Sequence, residues 1–159
     1  MLTGAIFCDS DNFVARTIKD VTKDGESHVA LLFDGDIVIH FRFLGFETMH
    51  LDEFKSLYHI SSILTAKQTI MIEPKAVIKH YGGKAYDFLG MIYVGIFLLV
   101  RDFFGFHLPG GNHFESRRDR FCVEFASEIC LGQRGSMMTP GQLRRRLLEN
   151  GWSERNDIS

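Results

Sequence analysis

The sequence predicts an α+β domain in which a small antiparallel sheet packs against helices. Three observations carry this. Residues 27–43 (SHVALLFDGDIVIHFRF) form two apolar runs around Asp34, Gly35 and Asp36, the pattern of a β-hairpin. Residues 120–131 set Phe121, Cys122, Phe125, Ala126, Ile129 and Cys130 on one stripe at helical spacing. Thr139 followed by Pro140 is an N-cap with proline at the first helical position, opening a last helix that runs to about Glu149. The chain has 159 residues, 45% of them hydrophobic, enough for one core, so a single domain spanning 1–159 is expected.

The remaining elements follow in order. Residues 4–8 (GAIFC) read as a short strand. Residues 11–20 carry Phe13, Val14, Thr17 and Ile18 at helical spacing, after Asp9, Ser10 and Asp11 as candidate caps. After Gly45, residues 51–54 (LDEF) predict a short helical turn. Residues 57–64 and 69–73 are weaker strand candidates. Pro74 starts a short helix that stops near Gly82 and Gly83. Residues 87–105 predict a long apolar helix, and 106–118 (FHLPGGNHFESRR) a glycine-rich polar loop. Asn150 and Gly151 end the last helix. The arginines at 144–146 read as a solvated helix face, with a partner-docking surface as the alternative.

Composition removes several function classes. The net charge is −2 and the pI near 6.4, which argues against a nucleic-acid binder. The apolar run from Phe88 to Val100 is 13 residues, too short to span a membrane. It reads as a buried core helix, with contact to a lipid or acyl chain as the alternative. Fifteen Phe point to a thick core, an apolar pocket or a surface buried against a partner. The three cysteines, Cys8, Cys122 and Cys130, have no framework spacing and form no CxxC pair, so neither a disulfide scaffold nor a structural zinc site is expected. The opening MLTGAIFCDSDNF lacks a basic n-region, so the expected site of synthesis is the cytoplasm, with host lysis or packaging in a virion as routes out.

The hairpin holds the sharpest question, because His28 and His40 stand on otherwise apolar runs. Side chains alternate along a strand, so turn length decides which residues share a face. A two-residue turn at Asp34 and Gly35 would send the two histidines to opposite faces. A three-residue loop pairs Phe33 with Ile37 and collects Val29, Leu31, Phe33, Ile37, Ile39 and Phe41 on one face. His28, Ala30, Leu32, Val38, His40 and Arg42 then share the other. Burial is worth about 1.5–3 kcal/mol per large side chain, so the register that separates apolar from polar is favoured, although Asp-Gly more often closes two-residue loops. The histidines become diagonal neighbours, within about 7–8 Å, where their rings can hydrogen-bond.

Cys122 is the candidate third partner. With Asp119 as N-cap it is the third helical residue, where free N–H groups and the helix dipole favour a thiolate. Cysteine nucleophile, histidine base and a second histidine orienting the first make a working constellation. The competing reading is a small core residue on the apolar stripe, as Cys130 is expected to be. Cys8 has no evident partner. A metal site from His28, His40, Cys122 and a water ranks lower, because no carboxylate stands at ligand spacing beside the histidines. No cofactor is expected.

The segment SHVALLFDGDIVIH resembles the His-bearing hairpin of the permuted papain-like hydrolases, circularly permuted relatives of NlpC-type cell-wall peptidases that include lecithin:retinol-acyltransferase-like enzymes. FCVEFASEI resembles the Cys-x-Glu opening of that group's nucleophile helix, and GGKAYDFLG (82–90) its preceding Gly-x-x-Tyr-Asp segment. GAIF with FVARTIKDVT matches the opening strand and helix, and TPGQL a helix start after the Cys helix. The likeness covers residues 4–148. Ala5 and Val123 depart from the common Asp and Ser, and 106–118 is an unusual insertion. The resemblance implies a circularly permuted papain-like fold with the nucleophile at a helix N-terminus. Cys122 would be nucleophile, His28 base and His40 its orienting partner; Tyr86 and Asp87 read as structural, tying the long helix to the sheet, and Glu124 as a helix-face contact rather than a catalyst.

The implied activity is a cysteine peptidase or amidase that cleaves an amide bond. Peptidoglycan peptide is the first-choice substrate, and the enzyme would suit a phage or virion. A lipid acyl hydrolase or acyltransferase is the second choice. A non-catalytic docking subunit, as in a phage tail with a protein assembly partner, is the third.

Overall fold

The computed structural model describes residues 1–9, 25–42, 45–67, 70–82, 122–134 and 138–155. In chain order they form β1 (Leu2–Asp9), β2 (His28–Phe33), β3 (Ile37–Arg42), β4 (Gly45–His50), α1 (Leu51–Leu57), β5 (His59–Thr65), α2 (Pro74–Tyr81), α3 (Cys122–Leu131), α4 (Pro140–Glu149) and β6 (Ser153–Glu154). The strands make one six-stranded sheet, ordered β4-β3-β2-β1-β5-β6, with every neighbouring pair antiparallel. The α+β expectation holds.

The hairpin turns on three residues. Phe33 pairs with Ile37, Leu32 with Val38 and Leu31 with Ile39. Gly35 and Asp36 both take positive φ, 74° and 57°, which glycine adopts freely and aspartate tolerates better than most residues. Segregation of the two faces therefore outweighs the local preference of Asp-Gly for a tighter turn.

One expectation about those faces changes. Val29, Leu31, Phe33, Ile39 and Phe41 join Phe7, Val123, Phe125, Leu143 and Leu147 in the larger core. The opposite face is not solvated: Ala30, Leu32 and Val38 enter a second core with Ile6, Cys8, Leu51, Phe54 and Ile63. The covering element is α1. His50 caps it by accepting a hydrogen bond from the Asp52 N–H, and Leu51 and Phe54, three apart, turn one side of this short helix inward. The sequence showed LDEF as a turn but not that it lies across the sheet.

Other elements were legible to different degrees. β4 went unforeseen as a strand, because GFETMH mixes polar and apolar residues at a sheet edge. The candidate at 69–73 is not a strand in its described part; Ile70 makes only an isolated bridge to Leu2. β5 starts at His59 because α1 runs to Leu57. α4 has the expected start as a full capping box: the Gln142 N–H donates to Thr139 Oγ1 and the Thr139 N–H to Gln142 Oε1, both at 3.1 Å. The arginine run is not uniformly solvated. Half-buried Arg144 donates to Ser62 on β5 and to Glu154 on β6, each at 3.0 Å, and so ties α4 to the sheet. The expected helices at 11–20 and 87–105, the loop at 106–118, and Tyr86, Asp87 and Asp119 lie outside the described residues. Among the described residues no helix is long and apolar enough to cross a membrane.

Candidate active site

The register of β2 and β3 brings the two histidines together. Nε2 of His28 and Nδ1 of His40 stand 2.9 Å apart, a hydrogen bond between two imidazoles. The rings meet edge to face, with centroids 5.1 Å apart. His40 is wholly buried, with 0% of its surface exposed. Aromatic side chains from the end of α1 enclose the pair. Tyr58 stacks on His28 at 5.4 Å, and Phe54 meets the His40 ring edge-on at 5.2 Å. Phe54 and Tyr58 are themselves stacked at 4.4 Å. A buried imidazole needs partners for both nitrogens, and this enclosure leaves few orientations open to the rings.

Cys122 is the first described residue of α3 (Cys122–Leu131), the helix that packs against β2 and β3. Its sulfur is reached by backbone N–H groups of Val29, Val123 and Cys122 itself. Two of these are the backbone N–H groups of Cys122 and of the next residue along α3. The third is decisive for position. It is the amide of Val29, the residue after His28 on β2. Cys122 itself packs in the larger core, on the face of the sheet that α3 covers and opposite the imidazoles. His28's cross-strand partner, Cys8, also interacts electrostatically with Cys122, which marks the same corner of the sheet.

The electrostatics run against one expectation. The helix start was expected to favour a thiolate. Burial instead dominates and pushes the Cys122 thiol up to about 11, while the three N–H groups pull the other way. At neutral pH the resting group is thus a thiol that needs a base. Burial likewise raises the thiols of Cys8 and Cys130. Cys130, expected inside the core, is only partly buried and packs against the larger core from its edge. Cys8 has a contact the sequence did not show: its Sγ lies 3.8 Å from the carbonyl oxygen of His28. Glu124, of the Cys-x-Glu segment, is fully buried within α3.

Sequence reasoning missed three residues at this site. Tyr58 and Phe54 reach it through the placement of α1, which nothing in the local pattern fixes. Glu47 reaches it because β4 pairs with β3 so that Glu47 stands directly across from His40. Its Oε2 lies 3.6 Å from His40 Nε2, and its side chain is 38% exposed. Among the described residues no group of three or more His, Cys, Asp or Glu side chains is arranged to hold a metal ion. Compared with known proteins, the chain matches no family model and no curated protein sequence.

Proposed function

We propose that the chain is a cysteine hydrolase of the circularly permuted papain-like kind, cleaving an amide bond, with peptidoglycan peptides as the first candidate substrate. The observation that carries this is the His28–His40 hydrogen bond, set on the strand whose next amide faces the Cys122 thiol. Order along the chain supports the same reading, with the His strand first, the second His on the following strand and the Cys at the start of a later helix.

In this mechanism His28 takes the thiol proton as Cys122 Sγ attacks the carbonyl carbon, forming a C–S bond. The oxyanion is met by backbone N–H at the start of α3. His28 then returns the proton to the leaving amine as the C–N bond breaks. Water, deprotonated by His28, releases the acyl group and restores the thiol. Since Cys122 rests as a thiol, proton transfer belongs to the attack step rather than preceding it.

The test is incubation of the purified protein with peptidoglycan and, separately, with phospholipid, with products identified by mass spectrometry. Released peptide is expected, and Cys122→Ala should lower its rate by on the order of 10⁴-fold or more. Release of fatty acid instead would redirect the substrate to lipid acyl bonds. A Cys122→Ala protein that matches wild type on both substrates would overturn the catalytic reading.

One observation favours a second reading, a non-catalytic docking module: Cys122 is only 4% exposed and its thiol is held protonated by burial. Iodoacetamide separates the two. A thiol served by His28 is alkylated at neutral pH well ahead of Cys130, whereas a core thiol is protected as Cys130 is.

A further inference from the structure

We infer that Glu47 is a positioning residue for the histidine pair, and that by selecting the tautomer of His40 it decides whether His28 can act as a base. Three distances and pairings carry this. Glu47 Oε2 lies 3.6 Å from His40 Nε2, His40 Nδ1 lies 2.9 Å from His28 Nε2, and the β3–β4 register sets Glu47 directly opposite His40.

Two imidazoles sharing one hydrogen bond can be arranged in two ways. In the first, His40 carries its proton on Nε2, and its Nδ1 accepts from the His28 Nε2–H. His28 Nδ1 then holds a lone pair that can receive the Cys122 proton. In the second, His40 carries its proton on Nδ1 and donates to His28 Nε2. His28 must then hold its own proton on Nδ1 and has no site for the thiol's. Neither ring prefers one arrangement strongly by itself. A carboxylate on the Nε2 side of His40 attracts a proton there, and so selects the first.

The same carboxylate acts again during reaction. When the proton moves from Cys122 Sγ to His28 Nδ1, the sulfur becomes negative and the His28 ring positive. His40 is wholly buried, so its ring rather than water separates the new cation from Glu47. Glu47, reaching from the sheet edge, supplies a compensating negative charge through the His40 ring. The 3.6 Å separation is an ion-pair distance that shortens as positive charge arrives, in the way catalytic hydrogen bonds tighten only in the reacting complex. This inference rests on the hydrolase reading for its effect on rate, but not for its effect on the tautomers.

The experiment is ring ¹⁵N NMR of the wild-type protein and of Glu47→Gln, with hydrolysis of the peptide substrate measured in parallel. In wild type, His40 should carry its proton on Nε2 and His28 should show an unprotonated Nδ1. In Glu47→Gln the neutral amide can accept or donate, so both rings should shift toward a mixture of tautomers. The turnover number should fall by on the order of 10- to 100-fold, the scale on which groups orienting a histidine from behind act, with KM unchanged. His40 found protonated on Nδ1 in wild type would overturn the inference without any variant. Ring signals that are unmoved in Glu47→Gln would overturn it too, and with active wild type the hydrolase reading would survive. Shifted tautomers in a protein that cleaves no substrate would keep the role of Glu47 and remove the hydrolase reading instead.

Discussion

The two faces of the β2–β3 hairpin are both buried, yet they are built from different materials. Under α3 and α4 the face is hydrocarbon: Phe41 meets Phe46, Phe125 and Tyr81 at ring distances of 5.4, 5.2 and 6.3 Å. Under α1 the corresponding face holds two imidazoles inside an aromatic wedge. Packing alone would not select the second arrangement, since each buried ring nitrogen must be matched or its desolvation is left uncompensated. The difference teaches that one face holds the fold together while the other holds a chemical arrangement in place. Cys122 packs on the first face, with its thiol against the amide of Val29, the residue next to His28.

The comparison breaks hardest on the hydrocarbon face. Phe41→Ala removes a fully buried ring from that cluster and should cost about 3–5 kcal/mol of stability, read by urea unfolding. The His28–His40 ring signals should survive in whatever fraction remains folded. Loss of the pair with a small stability change would show that the two faces are not separable in this way.

Alkaline pH probes Cys122 itself. The Cys122 thiol sits near 11 when folded against an ordinary value of 9.0, so the native state holds its proton longer than the unfolded chain does. That contribution to stability is present below pH 9 and is lost as pH rises from 9 to 11. Wild type should therefore lose on the order of 2–3 kcal/mol more than Cys122→Ala across that window, by urea midpoints at each pH. Equal losses in the two proteins would show that burial does not raise the Cys122 thiol above its ordinary value.

The imidazole face gives the smallest change and the most specific one. His40→Leu leaves His28 without its ring partner and should cost about 1–3 kcal/mol. Replacing both histidines by Leu removes donor and acceptor together and should cost less than the single change. A double variant that loses the sum of the two single costs would mean that the rings are not coupled.

Much of this was readable in advance, for local reasons. The hairpin register followed from alternation and from burial energies larger than turn preferences, and it alone placed His28 beside His40. The starts of α2 and α4 followed from Pro74 and from Thr139 with Pro140, because capping involves residues within one turn. What was not readable came from contacts between distant segments. GFETMH has no strand pattern of its own, and only pairing with β3 makes it β4 and brings Glu47 to His40. The stripe on α3 marked Cys122 as inward-facing, but not that burial would outweigh the helix start and keep its thiol protonated.

The sequence by itself thus determined the pairing of the histidines and the α+β architecture, because period-two alternation and helix caps act over a few residues. Only the tertiary structure decided that both faces of the hairpin are buried, that α1 closes Phe54 and Tyr58 over the imidazoles, and that a carboxylate stands behind His40. Those outcomes depend on which elements cover which faces. Desolvation and Coulomb interactions follow that arrangement in space, whatever the separation along the chain.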